Sequence, residues 1–584
     1  MRIYDKNNDS GSIHAIGNGK ICVYGQGPNI IQIFGKPYTA PIFAGLTVDM
    51  NAETERVFNT CIYRHKLENG AAFEDIADAK LPCFVRKITT DKPFIMKLKT
   101  IDNLELIRND SLKIYRAAPG QVVFMQHVIE RHQVYIIAAK GDIAITDNEI
   151  SVGVGESYLY VAGCQDYNEA IEAIEEIQNT PYEDIYNRTV EHWRTFSSRI
   201  PKLDDDIAEI ADGVGVLIKA QQGDEGGVLA GHYYHMAYFR DQYGVARGLL
   251  ALGHIEEAKK IMMFYKRIWE KEGKLHNAHG IGVDSVFHVH ENDDVEIMGY
   301  LIIQAFDLYS ANGDKAFLDS LLPMLKWAME KQIRHIRNNM LPFNGDETYI
   351  AGGILGRHAI YHGSAEATLL FIKAGELYCE YTNNSDGFLK YVNDVKSAFK
   401  DNFIRDGFIV ANNPKYMTID EYPRFRFGVC EHCYKMYWTE KNANGRYVCP
   451  PCAAKVDLPK GSEDERVLPA VALSLFFLNI DFISVDEITP MIDKMVADYE
   501  THGSITQSDR ITGYDFAFFL YMLVKLNHPL KDEVLKKVID MPDDSGAWIE
   551  YYDKNGNPQE SCKCRPWESG MNITAIIEAV SVKG

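Results

Sequence analysis

Tyr238-Phe-Arg-Asp-Gln-Tyr-Gly-Val-Ala-Arg-Gly-Leu-Leu-Ala-Leu-Gly253 sets a charged pair, Arg240 and Asp241, at the entrance to a nearly uncharged helix. A helix with one apolar side lies on a surface, whereas a helix apolar nearly all round has to be enclosed by others. An ion pair at the mouth of an enclosed helix is a poor core element and a good holder of a polar ligand.

Outward from this stretch, two kinds of helix alternate. Amphipathic segments with a heavily charged face span 206–221, 255–269, 315–338, 385–403, 485–500 and 529–540. Segments apolar nearly all round span 242–252, 293–309, 363–378, 466–478, 513–526 and 568–580. About twelve helices in outer and inner alternation are what an (α/α)6 barrel of six helical hairpins requires. If successive helices alternate in direction, the amino ends of all six inner helices open on one face, and the loops entering them line one cavity.

Upstream the pattern is different. Short runs rich in β-branched and aromatic residues, at 20–24, 30–34, 56–63, 83–89, 121–126, 133–138 and 157–161, are separated by Gly, Asn and Asp turns. They predict a large antiparallel β-sandwich. The fold class is therefore multidomain β + α. A β-sandwich over 1–165 is followed by a helical linker over 166–205, with helices at 167–178 and 182–198, and by the barrel as catalytic domain over 206–584.

A chain of 584 residues exceeds one core of ordinary size. Its apolar and charged fractions, 46% and 24%, are those of a globular protein. A net charge of −21 and a pI near 5.3 argue against nucleic-acid and anionic-membrane partners, because phosphate binding draws on clustered Lys and Arg. A neutral substrate fits better, and nothing calls for an organic cofactor. The amino terminus lacks the apolar run of a signal peptide, and no stretch has the length needed to span a bilayer without charges, so a cytoplasmic location is expected. Of eleven cysteines, Cys22, Cys61, Cys83, Cys164, Cys379, Cys562 and Cys564 follow no pattern, which suits a reducing compartment.

The loops entering the inner helices hold the unusual polar residues. Arg240 and Asp241 precede the first; Glu291, Asp293 and Asp294 the second; Asp346, Glu347 and His362 the third. Arg424 and Arg426 precede the fourth, Ser508, Asp509 and Arg510 the fifth, and Glu550, Trp567 and Glu568 the sixth. N-capping and the helix dipole account for some of the acids. They do not account for Arg240, Arg426 or the neighbouring aromatic residues. Separated carboxylates, Arg donors and aromatic walls suit glycoside hydrolysis, in which one carboxyl protonates the departing oxygen and another activates water or attacks the anomeric carbon. Tyr238 and Trp567 offer stacking faces for sugar rings.

Tyr238-Phe-Arg-Asp241 with Leu249-Leu-Ala-Leu-Gly253 resembles the Trp-x-Arg-Asp motif and following helix of the six-hairpin glycosidases, and within them of glycoside hydrolase family 15, the glucoamylases and glucodextranases. The bacterial members also carry an amino-terminal β-sandwich. The resemblance implies that Arg240 and Asp241 hold outer hydroxyls of the non-reducing terminal sugar. An exo-acting, inverting enzyme that removes a terminal sugar, α-linked glucose, from oligosaccharides would follow. Glu291-Asn-Asp-Asp294 resembles the family's Gln/Asn-Asp-Gly segment, which brings Asp293 and Asp294 to the sugar site. The family's general acid matches Glu347 in Leu341-Pro-Phe-Asn-Gly-Asp-Glu-Thr-Tyr349, with Asp346 as second candidate. Its base matches Glu550 in Gly546-Ala-Trp-Ile-Glu550 ahead of Arg565-Pro-Trp567, with Glu568 as the alternative. His362, Arg426, Trp567 and Glu568 complete the expected sugar-binding set.

Cys430-Glu-His-Cys433 and Cys449-Pro-Pro-Cys452 give C-x2-C-x15-C-x2-C within an insertion at 424–456. Paired knuckles at this spacing predict a tetrahedral zinc site in a zinc-ribbon-like insertion. Four thiolates leave no open coordination position, so the expected zinc ion is structural. The histidines at 276, 279, 288 and 290 match no helix-borne metal motif and read as loop-lining hydrogen-bond donors. Two other functions compete with hydrolysis: a glycoside phosphorylase of the same barrel class, with Lys563 and Arg565 the basic residues of the last loop, and a non-catalytic carbohydrate-binding or scaffold protein. Sugar, linkage and oligomeric state stay open.

Overall fold

The computed structural model describes residues 12–36, 38–39, 42–100, 104–117, 121–124, 127–130, 133–288, 294–343, 360–410, 412–413, 415, 425–431, 434–441, 447–449, 475–505 and 510–581. Two large antiparallel sheets and a two-stranded hairpin, Gln121–Phe124 with His127–Glu130, make up the described amino-terminal part. Seven strands run in the order His14–Gly17, Ile21–Gln26, Asn29–Gly35, Ala44–Thr47, Phe94–Thr100, Glu149–Val152 and Ile143–Ile145. Eight run in the order Leu104–Asn109, Leu112–Ala117, Val134–Lys140, Gly155–Cys164, Cys83–Thr90, Ala72–Ala77, Tyr63–Leu67 and Ala52–Arg56. Period-two patterning sets the faces: Tyr63, His65 and Leu67 are buried while Arg64 and Lys66 are exposed. The strand expected over 56–63 is instead the end of one strand and the start of the next. Residues 57–62 turn between them, with Asn59 at φ 58°, a left-handed conformation that Asn tolerates.

Helix α1 (Tyr167–Asn179) lays Ala170, Ala173, Ile174 and Ile177 on the eight-stranded sheet, and α2 (Tyr182–Ser197) follows. The helical part then runs α3 (Asp205–Ala220), α4 (Phe239–Ala251), α5 (Ile255–Glu272), α6 (Glu296–Asn312), α7 (Lys315–Arg334), α8 (Ala365–Tyr381), α9 (Leu389–Phe403), α10 (Val485–His502), α11 (Asp515–Lys525), α12 (Lys531–Asp540) and α13 (Pro566–Ser581). The two kinds differ as their sequences demand. In α5 the buried positions include Ala258, Ile261, Met262, Tyr265 and Ile268, a stripe at helical spacing. In α6 every residue from Glu296 to Phe306 is buried.

The enclosed helices pack side by side: α4 on α6, α6 on α8, α11 on α13, and α13 back on α4. Most of the apolar segment at 466–478 lies outside the described residues. At its end Phe477 meets Tyr243 of α4 and Phe518 and Tyr521 of α11. The α4/α13 contact is backbone on backbone. A Cβ on Gly248 would come 2.5 Å from Cα of Gly570, one on Gly570 would come 2.5 Å from the Gly244 carbonyl oxygen, and one on Gly244 would meet the Trp567 ring at 2.1 Å.

Three small antiparallel sheets tie the loops that enter the inner helices. Ala237–Tyr238, Ala278–His279 and Phe287–His288 join the first loop to the second. Pro342–Phe343, Ile360–Ser364 and Asn412–Asn413 join the third to the stretch after α9, and Arg510–Thr512 pairs with Tyr551–Asp553 to join the fifth to the sixth. The seven-stranded sheet stands behind the first and last loops. The Gln32 amide donates to the His232 carbonyl at 3.0 Å, the Thr39 hydroxyl donates to the His235 carbonyl at 2.5 Å, and the Cys564 thiol donates to the Ile13 carbonyl at 2.9 Å. Among the described residues no helix is long and apolar enough to cross a membrane.

The α4/α13 seam makes a prediction. Gly248→Val puts a branched side chain where the nearest atom is backbone, so no rotamer relieves the clash. Thermal or denaturant unfolding is expected to show a loss of at least about 1–3 kcal/mol. An unchanged midpoint would mean that the helices separate without penalty.

Candidate functional site

Each described inner helix carries a carboxylate in its first turn, and each of these is buried: Asp241, Glu296, Glu366, Asp515 and Glu568. A helix amino terminus favours negative charge through its dipole and open N–H groups. Asp515 is satisfied locally, accepting the Thr512 backbone N–H at 2.9 Å. The other four reach side chains. Arg240 donates to Glu296 at 3.0 Å, and the Tyr300 hydroxyl donates to Glu366 at 2.6 Å. Arg565 donates twice to Glu568, at 2.8 and 2.9 Å, and its guanidinium lies 3.2 Å from Asp241. A further Arg565 N–H is given to the Ala230 carbonyl.

Aromatic rings surround these charges. Trp567 stacks on Tyr514 with centroids 5.0 Å apart and 13° between planes. The Arg240 guanidinium lies 5.5 Å from the Trp567 ring, and that of Arg565 lies 5.5 Å from the Tyr234 ring. Tyr238 packs edge-on against Tyr234 and His288. Burial pushes the Asp241 carboxyl up against the pull of Arg565 and Arg240, and Glu550 pushes in the same direction as burial. Burial raises Glu568 to about 7 despite Arg565, and raises Asp515 to about 6.

Glu550 is built into the junction of the last two loops. Its carbonyl accepts the Gly513 N–H at 2.9 Å, its own N–H donates to the Cys562 carbonyl at 3.0 Å, and its carboxylate takes the Cys562 N–H at 3.4 Å. Unlike the five helix carboxylates it is only half-buried. Gly513 has to be glycine, because a Cβ there would come 2.0 Å from the Ile549 carbonyl oxygen and 2.9 Å from the Glu568 side chain. His232 staples the first loop to the last: its N–H donates to the Lys563 carbonyl at 3.2 Å, and its Nδ1 accepts the Lys563 N–H at 2.9 Å.

The structure thus brings together Arg240, Asp241, Trp567 and Glu568 from the sequence-derived set, with Glu550 just before the adjoining strand Tyr551–Asp553. Asp294 instead pairs with Lys331 at 3.0 Å and His335 at 3.6 Å, both from the outer region around α7, and Glu296 stands beside Arg240. His276 stacks on Phe287, and His279 accepts the His276 backbone N–H at 2.9 Å; burial lowers His279 to about 3. Asp293, Asp346 and Glu347, the side chains of His362 and Arg426, and Cys433 and Cys452 lie outside the described residues. Glu296, Tyr300, Glu366, Asp515 and Tyr514 went unread as site residues. For the three acids a signal was present: each is a first-turn carboxylate opening an uncharged run of five or more residues in its helix.

The first cysteine of each knuckle can be located. Cys430 and Cys449 are both buried, and the Cys449 N–H donates to the Cys430 sulfur at 3.2 Å. The Tyr434 N–H closes a turn onto the Cys430 carbonyl at 2.9 Å, with Tyr434 at φ 58°. Cys430 and Cys449 are therefore held side by side with N–H···S support, an environment that suits thiolate ligands. No group of three metal-binding side chains occurs among the described residues, which hold only two of the four cysteines.

No protein-family model matches the chain, and no curated protein matches its sequence. Solved structures do match its fold. A bacterial glucoamylase complexed with acarbose aligns with a TM-score of 0.62 at 11% identity, over 99% of this chain and 94% of the other. A protein described as a kojibiose phosphorylase from the human microbiome aligns with a TM-score of 0.58 at 10% identity, over 99% and 87%. Both have six-hairpin glycosidase-like folds, and at these identities the likeness is one of fold: an antiparallel β-sheet region followed by a helical domain.

The shifted Asp515 carboxyl gives a pH prediction. Its ordinary value is 3.8 and its folded value about 6, so between these the folded chain holds the proton more tightly than the unfolded one. Stability from this group is present below about pH 4 and is lost as pH rises through about 6, by up to about 3 kcal/mol. Asp515→Asn is expected to gain in thermal midpoint relative to wild type as pH rises from 4 to 7. A difference that stays flat with pH would mean that the carboxyl is ionised throughout.

Proposed function

We propose that this protein is an exo-acting glycoside hydrolase that removes a terminal sugar, α-linked glucose, from oligosaccharides with inversion. The observation that carries this is the buried Arg240/Asp241 pair within a set of first-turn carboxylates and aromatic faces, at the end of the helical domain where the inner helices begin. Charged groups taken out of water here gain little for folding, and a ligand rich in hydroxyls would use them. Similarity of fold to a glucoamylase and to a kojibiose phosphorylase supports chemistry at glycosidic bonds.

In this mechanism Arg240 and Asp241 hold hydroxyls of the terminal sugar, with Tyr238 and Trp567 as stacking faces. Glu347 gives its proton to the glycosidic oxygen as the bond to the anomeric carbon breaks. Glu550 takes a proton from a water that attacks the opposite face, so the product carries the inverted configuration, the outcome that goes with an acid and a base about 6.5–9.5 Å apart. Half-exposure of Glu550 supports it as the base, because both oxygens of Glu568 are occupied by Arg565. Phosphorolysis would need donors for phosphate at the base position. In the last loop Arg565 is already committed to Glu568, Asp241 and Ala230, which favours hydrolysis.

Screening α-linked gluco-oligosaccharides with the product anomer read by NMR tests the proposal. The expected result is release of β-glucose without added phosphate, with Glu347→Gln and Glu550→Gln each losing at least about a hundredfold in kcat. Near-normal rates in both variants would remove the assignment, and sugar phosphate formed only with added phosphate would establish phosphorolysis.

A structural zinc ion held by Cys430, Cys433, Cys449 and Cys452 completes the proposal. The buried, adjoining Cys430 and Cys449 support it. One zinc per chain is expected by metal analysis, and Cys430→Ser should lose both the ion and thermal stability. A Cys430→Ser variant that stays folded at the wild-type midpoint but is inactive would point to a catalytic ion instead.

A further inference from the structure

We propose that Arg565 and Glu568 are positioning residues that aim the Asp241 carboxylate, and through it set how tightly the terminal sugar is held. This rests on the sugar-holding role proposed for Asp241. A guanidinium presents five N–H donors in a fixed fork. In Arg565 that fork is spread over three elements: both bonds to Glu568 within the first turn of α13, one to the Ala230 carbonyl in the loop before α4, and the approach to Asp241 at the start of α4. All three charged side chains are at most 8% exposed, so water does not substitute for any of these partners.

The geometry divides the labour. The two bonds to Glu568 are short and paired, whereas the contact with Asp241 is a single 3.2 Å approach that is not aligned as a hydrogen bond. Glu568 therefore draws Arg565 toward α13 and leaves Oδ1 of Asp241 to be offered to a ligand. Without the Glu568 charge, the buried cation has Asp241 as its nearest carboxylate and would close on it. The glycine contacts between α4 and α13 keep the two helix ends at fixed separation, so this competition is settled by side-chain charge and not by helix movement.

Such a role predicts loss of ground-state and transition-state binding together. Glu568→Gln is expected to raise KM at least tenfold while lowering kcat less than threefold, and Glu568→Asp to recover part of the loss. In an Asp241→Asn background, Glu568→Gln should add less than twofold to KM, because its effect passes through Asp241. Independent, multiplicative effects on KM would overturn the proposal. Arg565→Lys, which keeps the charge and loses the fork, should reproduce the KM defect if Glu568→Gln fails to fold. Thermal unfolding separates failure here from failure of the proposed function. If the wild-type chain turns over no glycoside, non-additive midpoint shifts for the Asp241→Asn and Glu568→Gln pair still support the coupling, and additive shifts reject it.

Discussion

Between α4 and α13 there is room for backbone and for nothing else. Gly244 and Gly248 face Gly570, and a single methyl group at any of them would overlap a main-chain atom or the Trp567 ring. This contact joins the first inner helix to the last, so packing these two helices together and bringing Asp241 beside Arg565 and Glu568 are one event. The indole of Trp567 lies over Gly244 because no side chain stands there, and it is then in reach of the Arg240 guanidinium on one side and the Tyr514 ring on the other.

The same closure creates an electrostatic debt. Five first-turn carboxylates are taken out of water, and among the described residues around them Arg240 and Arg565 are the guanidiniums that answer. Helix dipoles offset part of the desolvation, at about 0.3–1 kcal/mol each in exposed settings and up to about 2 where partly buried. Burial of this kind is weak evidence for stability, since apolar residues of similar volume would serve a core at least as well. Burial pushes the Asp241, Asp515 and Glu568 carboxyls upward, so ionising them costs free energy in the folded chain. Charge retained against that gradient, at one end of one set of helices, fits a site better than a scaffold.

How much of this could be seen in the sequence depended on what kind of signal carried it. The alternation of one-sided and enclosed helices was legible because burial leaves a mark on every turn: α5 shows an apolar stripe, α6 shows no polar face, and both fall where periodicity puts them. Strand order was not legible. Phe94–Thr100 sits between Ala44–Thr47 and Glu149–Val152 through contacts remote in sequence, and the turn at 57–62 hid inside a run of β-formers. In the site, Arg240 and Asp241 stood out because they are adjacent in sequence. Glu296 and Glu366 did not, because each is a single acid whose partner, Arg240 or Tyr300, lies 56 or 66 residues away. In the second loop attention fell on Asp293 and Asp294, and the acid that meets Arg240 comes just after them, in the first turn of α6.

The amino-terminal sheet region is also easier to understand from the candidate site outward than from its own sequence. Gln32 and Thr39 hold the carbonyls of His232 and His235, Thr39 also takes the Ile281 N–H at 2.8 Å, and His235 stacks on Phe34 at 4.2 Å. These contacts fall on the first and second loops, and the Cys564 thiol on the Ile13 carbonyl adds the last; between them the loops carry Tyr238, His279 and Arg565 and lead into Arg240. The first loop is a long excursion before α4, and the last is a long one before α13; loops of that length need outside support to hold side chains in register. The seven-stranded sheet supplies a rigid wall for both, and His232 with Lys563 ties them to each other in front of it. A sheet region in this position stands behind the candidate site, and one hydrophobic cluster runs without a break from its strands into the inner helices.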